Sequence, residues 1–267
     1  MKPNKILGIE ISKKHLENIL RNNEINKLNS DITHIEEYLD KNNYQVKHLF
    51  ETGALSLVLK VTKDKESHIL KYTQAKELLE NEEEFLKKLN KGNLTPKIIE
   101  YNRELHFILM EYLEETNQQP TIEEIIELSQ EISKHNIKTK NTVKDNIEMR
   151  CKWLENDLIK ANKTQHIKEL NQHKNALFHI INHNNEQYLN HGDFQNKNLI
   201  KTKRCLKTID PIPCYGLKYY DLALWTIWHQ RQKRVNLIEK IEDKINCDYF
   251  KGLVEHLSYI EQNARDL

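Results

Sequence analysis

The segment LNHGDFQNKNLI, residues 189 to 200, decides how the rest of the chain is read. His191, Gly192 and Asp193 stand in a row, and Asn198 follows five residues after the aspartate. Apolar Leu189, Leu199 and Ile200 frame this polar group. It is either an ordinary polar turn or a loop built for phosphoryl transfer. That chemistry needs few parts: a carboxylate to orient a hydroxyl and take its proton, oxygen ligands for Mg²⁺, and a lysine, held by a glutamate, on the nucleotide phosphates.

Working outward, each part has a candidate. Asp193 is the base. Asn198 offers an amide oxygen to a metal. Asp210 ends LKTID, and the stretch from Asn198 to Asp210 reads as strand, turn at Lys201 to Arg204, and strand. Such a hairpin would bring Asn198 and Asp210 close together. Lys71 lies among apolar residues in HILKYT, where a lysine needs a partner or a ligand. Glu82 shares a helix face with Leu78, Leu79, Phe85 and Leu86 and could pair with it. Glu83 or Glu84 takes that part if the helix phase differs. Alone, Lys71 would read as a snorkelling surface lysine and the EEE run as a solvated face.

The wider pattern agrees with two parts. Ser12 is expected to cap a helix with Leu16, Ile19 and Leu20, and Asp31 to cap a second with Ile35, Tyr38 and Leu39. YQVKHLF, LSLVLKVT, HILKYT, PKIIEYN and LHFILMEYL read as antiparallel strands, with TGA at Thr52 to Ala54 and KDKES at Lys63 to Ser67 as turns. One charged helix sits between the third and fourth strands, and Gly92 is expected at its C-cap. After residue 120 the chain is mainly helical, over 121–136, 144–161, 166–187, 219–234 and 236–263. The fold class is α+β: a small antiparallel-sheet N-terminal lobe, residues 1–113 with a helical leader 1–42, and a larger helical lobe, residues 114–267. Trp153, Trp225 and Trp228 are expected in the core or packing between lobes.

Composition narrows the function classes. Forty-one basic and forty acidic residues leave +1, which supplies no global field for nucleic acid or an anionic membrane. Cys151, Cys205, Cys214 and Cys247 show no C-x2-C spacing, so zinc is not expected, and scattered cysteines fit reduced thiols in the cytoplasm. No signal peptide is expected at the N-terminus, and no run approaches the ~20 apolar residues of a membrane span.

HGDFQNKN resembles the H-G-D-x-x-x-x-N catalytic loop of the aminoglycoside phosphotransferase branch of the protein-kinase-like superfamily. IDPIPCYGLKYYDLALW is similar to I-D-P-x-P-x-x-G-x-x-x-Y-D-L-A of the streptomycin 6-kinase and hydroxyurea kinase subgroup. ILKYT resembles the lysine strand, and NEEEFLKKL the glutamate helix. FILMEYL resembles the hinge, where backbone near Glu111, Tyr112 and Leu113 would bind adenine. The resemblance spans about residues 45 to 265 and is strongest from 189 to 225; residues 1 to 42 match no motif.

It implies a bilobal kinase-like fold. ATP, or GTP as the alternative donor, would be held by Lys71 and Glu82 with help from Ser56. Mg²⁺ would sit on Asn198 and Asp210, with Asp193 as base. His191 would hold the loop by hydrogen bonds, and Asp221 would cap a helix and bond the loop. The covering loop has one glycine, Gly53, where many kinases have several. Only seventeen residues separate Asp193 from Asp210, too few for a long activation loop.

The implied activity is phosphorylation of an aminoglycoside hydroxyl, streptomycin-like, conferring antibiotic resistance. The alternatives are a housekeeping kinase for a sugar, choline, homoserine or fructosamine, and a nucleotide-binding pseudokinase. A cationic acceptor would need carboxylates, for which Asp248, Glu255 and Glu261 on the last helix are candidates.

Overall fold

The computed structural model describes residues 5–6, 9–10, 25–50, 56–233 and 237–263. The chain divides into two compact units, Met1–Asn90 with Thr95–Glu114, and Lys91–Leu94 with Glu115–Leu267.

The first unit opens with a minimal antiparallel pair, β1 (Lys5–Ile6) and β2 (Ile9–Glu10). Helix α1 (Ile25–Lys41) follows, then strands β3 (Gln45–Phe50), β4 (Leu57–Lys63) and β5 (Glu66–Tyr72). Helix α2 (Lys76–Asn90) precedes β6 (Ile98–Asn102) and β7 (Phe107–Glu111). The five longer strands form one sheet, ordered β3-β4-β5-β7-β6, with every neighbouring pair antiparallel. Asp64 and Lys65 both take positive φ, 50° and 70°, the geometry of the tightest hairpins between right-twisted strands.

Strand alternation assigns the two faces of this sheet. Leu57, Leu59, Val61, Leu70, Tyr72, Phe107 and Leu109 pack with Leu28, Ile35 and Leu39 of α1 in one buried cluster. The intervening residues, Lys71 among them, face the other way, and Lys71 reaches Glu82 on α2. Helices α1 and α2 therefore cover opposite faces.

Several expectations are corrected here. The helix predicted from Ser12 lies outside the described residues, as does the Thr52 to Ala54 turn. Asp31 does not cap a helix: it lies within α1 and accepts a 2.5 Å hydrogen bond from the Tyr72 hydroxyl. The left-handed residue after α2 is Asn93, φ 60°, rather than Gly92, since asparagine tolerates that conformation nearly as well.

The second unit holds α3 (Ile122–Ser133), α4 (Val143–Lys160) and α5 (Ile167–Asn184). Two capping boxes start the first two, Thr121 with Glu124 and Thr142 with Asp145. Short strands β8 (Tyr188–Asn190) and β11 (Cys214–Gly216) pair, as do β9 (Leu199–Lys201) and β10 (Leu206–Thr208). Helix α6 (Tyr220–Lys233) is buried at Tyr220, Leu222, Ala223, Leu224, Trp225 and Ile227. The single helix expected over 236–263 is instead α7 (Ile238–Ile245), α8 (Phe250–Ser258) and a π-turn, Tyr259–Asn263. The break falls at Asn246, whose φ of 48° ends α7. Trp225 is buried, whereas Trp153 is 50% exposed and is not a core residue. All four cysteines are free thiols, and no described helix is long and apolar enough to cross a membrane.

Candidate active site

The first unit contributes an ion pair. Lys71 projects from β5 and donates to Glu82 at 2.6 Å, with both side chains nearly excluded from solvent. Glu83 instead pairs with Lys87 one turn on, so the helix phase selects Glu82. Desolvating two such charges costs about as much as their attraction returns, so the pair is weak evidence of stabilisation.

At the end of β7, the Glu111 N–H donates to Lys97 O at 2.9 Å, and its carboxylate accepts from the Lys97 N–H at 3.1 Å. That N–H is therefore committed to the sheet. Tyr112 lies beneath Lys60, whose Nζ is 3.7 Å from the ring centre, and Leu113 follows half-buried. Ser56 directly precedes β4, while residues 51–55, with Gly53, lie outside the described set.

The second unit builds the HGDFQNKN loop between β8 and β9. Its backbone is fixed from two sides. Asp221, buried in the first turn of α6, accepts from the His191 N–H at 2.7 Å and the Gly192 N–H at 3.0 Å. Burial pushes the Asp221 carboxyl up to about 7, against the pull of those two N–H groups. On the other side, Arg150 Nη2 and Asn146 Nδ2 donate to the Gly192 carbonyl at 2.8 and 3.2 Å. Gly192 itself has φ +78°, and a Cβ there would lie 1.9 Å from the Ile212 carbonyl oxygen, so only glycine fits.

His191 ties the loop to the neighbouring strand. Its Nδ1 accepts from the Asp193 N–H at 3.3 Å, so the proton belongs on Nε2, which faces Ile209 O at 2.9 Å. With its acceptor nitrogen used by the backbone, His191 is a structural element of the loop.

The Asp193 carboxylate receives three side chains. Arg150 Nη2 donates to Oδ1 at 3.1 Å, and Asn198 Nδ2 to Oδ2 at 2.9 Å. Gln195 Nε2 lies 2.8 Å from both oxygens. Asn198 Nδ2 also donates to the Asp193 carbonyl at 2.8 Å, which turns its Oδ1 away from the aspartate. The Ile209 N–H donates to the Asn198 carbonyl at 3.0 Å, so the β9–β10 pairing brings the backbone before Asp210 beside Asn198, as expected. Asp210 has φ +56°, the left-handed region that aspartate and asparagine enter more readily than other side chains.

An amide oxygen and a carboxylate are hard donors that suit Mg²⁺, which usually takes one or two protein carboxylates and fills the rest with phosphate and water. Among the described residues no group of three or more His, Cys, Asp or Glu forms a metal cluster, and this donor set does not need one.

Sequence reasoning missed Arg150. It is buried on α4, donating from Nε to Asn146 Oδ1 at 2.7 Å and from Nη1 to Glu261 Oε1 at 2.5 Å. Burial opposes its charge, but Glu261, Tyr220 and Asp193 outweigh that and hold its pKa well above the ordinary arginine value. The available signal was an arginine in line with Val143, Ile147, Cys151, Leu154 and Leu158 on the buried stripe of α4. Asn196 was also missed; its Oδ1 accepts from Trp225 Nε1 at 2.8 Å, which ties the loop to α6. Of the acidic acceptor candidates, Glu261 is taken by Arg150 and lies in the π-turn, Asp248 sits exposed in the turn before α8, and Glu255 is exposed on α8.

No family model and no curated protein sequence matches the chain. Solved structures do. Choline kinase LicA from Streptococcus pneumoniae superposes with a TM-score of 0.60 at 15% identity, over 88% of this chain and 90% of that one. An ethanolamine kinase from Plasmodium vivax gives 0.60 at 12%, over 96% and 82%. Spectinomycin phosphotransferase APH(9)-Ia, in complex with ADP and spectinomycin, gives 0.55 at 11%, over 87% and 86%. At such identities the likeness establishes the fold: the chain has the α+β protein-kinase-like fold shared by these small-molecule kinases.

Proposed function

We propose that the protein is an ATP-dependent phosphotransferase acting on a hydroxyl group of a small molecule. The observation that carries this reading is the Asp193 carboxylate, anchored by the buried Arg150 and Asn198, on a loop whose backbone is pinned at Gly192 from both sides. A carboxylate so held can orient a hydroxyl and accept its proton, and most of the rate enhancement is then positioning. Asn198 and Asp210 would hold Mg²⁺, which would supply positive charge to offset the negative charge developing on the phosphoryl oxygens. Lys71, kept in place by Glu82, would steady the α- and β-phosphates. The backbone around Glu111, Tyr112 and Leu113 would meet the adenine, and Ser56 a phosphate. The ADP in the spectinomycin phosphotransferase neighbour supports nucleotide use.

The acceptor we favour is an aminoglycoside, streptomycin-like by the I-D-P-x-P-x-x-G segment, with drug resistance in the cytoplasm as the outcome. A second reading, a small amino alcohol, is supported by the choline and ethanolamine kinases at TM-score 0.60. Both classes are cationic and bear hydroxyls.

The test is ATP consumption with Mg²⁺ against streptomycin, several 2-deoxystreptamine aminoglycosides, choline, ethanolamine, homoserine and simple sugars, beside an Asp193→Ala control. Turnover with one aminoglycoside, lost in the variant, supports the full reading. Turnover only with an amino alcohol keeps the chemistry and replaces the acceptor. No turnover with any acceptor, together with no nucleotide binding, rejects the kinase reading.

A further inference from the structure

A carboxylate has about four lone-pair positions. In Asp193 all four are used: Oδ1 accepts from Arg150 and Gln195, and Oδ2 from Asn198 and the same Gln195 nitrogen. A base in this state has no lone pair left for a substrate hydroxyl. One donor must leave before the hydroxyl can bind.

The three donors are not equally anchored. Arg150 is buried and also bonded to Asn146, Gly192 and Glu261. Asn198 is buried and also bonded to the Asp193 carbonyl. Gln195 is only half-buried, and its nitrogen straddles the carboxylate at 2.8 Å from each oxygen. An incoming O–H must donate to one of these same two oxygens, and so competes with the Gln195 amide for it.

Resting on the reading of the protein as a hydroxyl kinase, we infer that Gln195 stands in for the acceptor. It occupies the acceptor's position on Asp193 while no acceptor is bound, and it is displaced when one arrives. In the productive step the acceptor oxygen bonds to the γ-phosphorus and the bond from that phosphorus to the β-bridging oxygen breaks. ADP leaves with that electron pair, and the hydroxyl proton passes to Asp193. Water entering the same place would give inorganic phosphate and ADP by the same bond changes. Gln195 excludes it: a small donor such as water must compete with a tethered amide, whereas an acceptor held by further contacts displaces it. Gln195 thus acts through Asp193 as a positioning residue that sets transfer against hydrolysis.

The experiment measures phosphate release from Mg-ATP without acceptor, by the full-length wild type, Gln195→Ala, Asp193→Asn and the double variant, with the KM for ATP and the melting temperature of each. Gln195→Ala is expected to hydrolyse ATP about fivefold faster, the weight of one ordinary hydrogen bond. Its KM for ATP and its melting temperature should stay at wild-type values. Adding Asp193→Asn should abolish the gain. Gln195→Glu, repelled by the carboxylate, should behave like the alanine variant. A merely structural glutamine would lower the melting temperature and give no gain in hydrolysis. Unchanged or slower hydrolysis in Gln195→Ala, while wild type still phosphorylates an acceptor, overturns the stand-in and leaves the kinase reading intact. No phosphate release or transfer by any form overturns both.

Discussion

Replacing Arg150 by methionine separates what the arginine does for the fold from what it does for the loop. The guanidinium makes four hydrogen bonds, to Asn146, Glu261, Gly192 and Asp193. Three of the acceptors keep other donors: Asn146 Oδ1 still accepts from the Tyr220 hydroxyl at 2.8 Å, Gly192 O from Asn146 Nδ2, and Asp193 from Gln195 and Asn198. Glu261 is the costly one, because it is buried and would be left as an uncompensated charge. Breaking a buried pair from one side costs about 4 kcal/mol. For a chain of this size that is a fall in melting temperature on the order of 10 °C. Arg150→Met with Glu261→Met removes both charges and should recover most of that loss, giving a coupling of about 2–3 kcal/mol. Activity should not recover with it. Asp193 has still lost a donor and Gly192 a clamp, so kcat should stay roughly tenfold down, the worth of one charge-assisted hydrogen bond. Thermal melts and steady-state kinetics on the four proteins read both quantities. If Arg150→Met costs the same stability with and without Glu261, the two residues are not coupled and the reading of Arg150 and Glu261 as a buried pair is wrong.

Gly192→Ala should reduce kcat by about a hundredfold, since the Cβ cannot share space with Ile212 O and a loop shift of about an ångström has that effect; kinetics with a folded, nucleotide-binding variant near wild-type kcat would count against the tight turn. His173 and His256 share an Nδ1···Nδ1 contact of 3.0 Å with Tyr259 stacked on His173, and burial, then His173, lowers the His256 pKa below its usual value of 6.5. Its contribution to stability is therefore present above pH 6.5 and lost as pH falls through the lower folded value, so the melting temperature should drop on acidification, and less steeply in His256→Gln. Superimposable pH profiles for the two proteins would remove this pair from the acid response.

The sheet, α2 and the main helices were legible because each repeats its period over five or more residues, long enough for alternation or a helical stripe to show. The loop was legible because Asp193 and Asn198 lie five residues apart in one short segment. Lys71 and Glu82 could be paired because one helix phase puts the glutamate among Leu79, Phe85 and Leu86. Strands β8 and β11 were missed: three residues carry no period, and their pairing is set by contacts across the loop. The break at Asn246 depends on one left-handed residue, which composition does not reveal. Arg150, on the other hand, meets Asp193 and Glu261 across long separations in sequence, and only a folded chain brings those three together.

Helix α1 has a practical consequence for anyone shortening the chain. Residues 1 to 42 match no motif, which makes position 43 or 44 a tempting place to begin an expression fragment. Such a fragment would lose Leu28, Ile35 and Leu39 and leave Leu57, Leu59, Val61, Leu70, Phe107 and Leu109 facing water across three adjacent strands. A bare apolar area of that extent is a sticky surface. The fragment would be expected to collect in inclusion bodies while still containing every residue of the proposed chemistry, and its inactivity would say nothing about that chemistry.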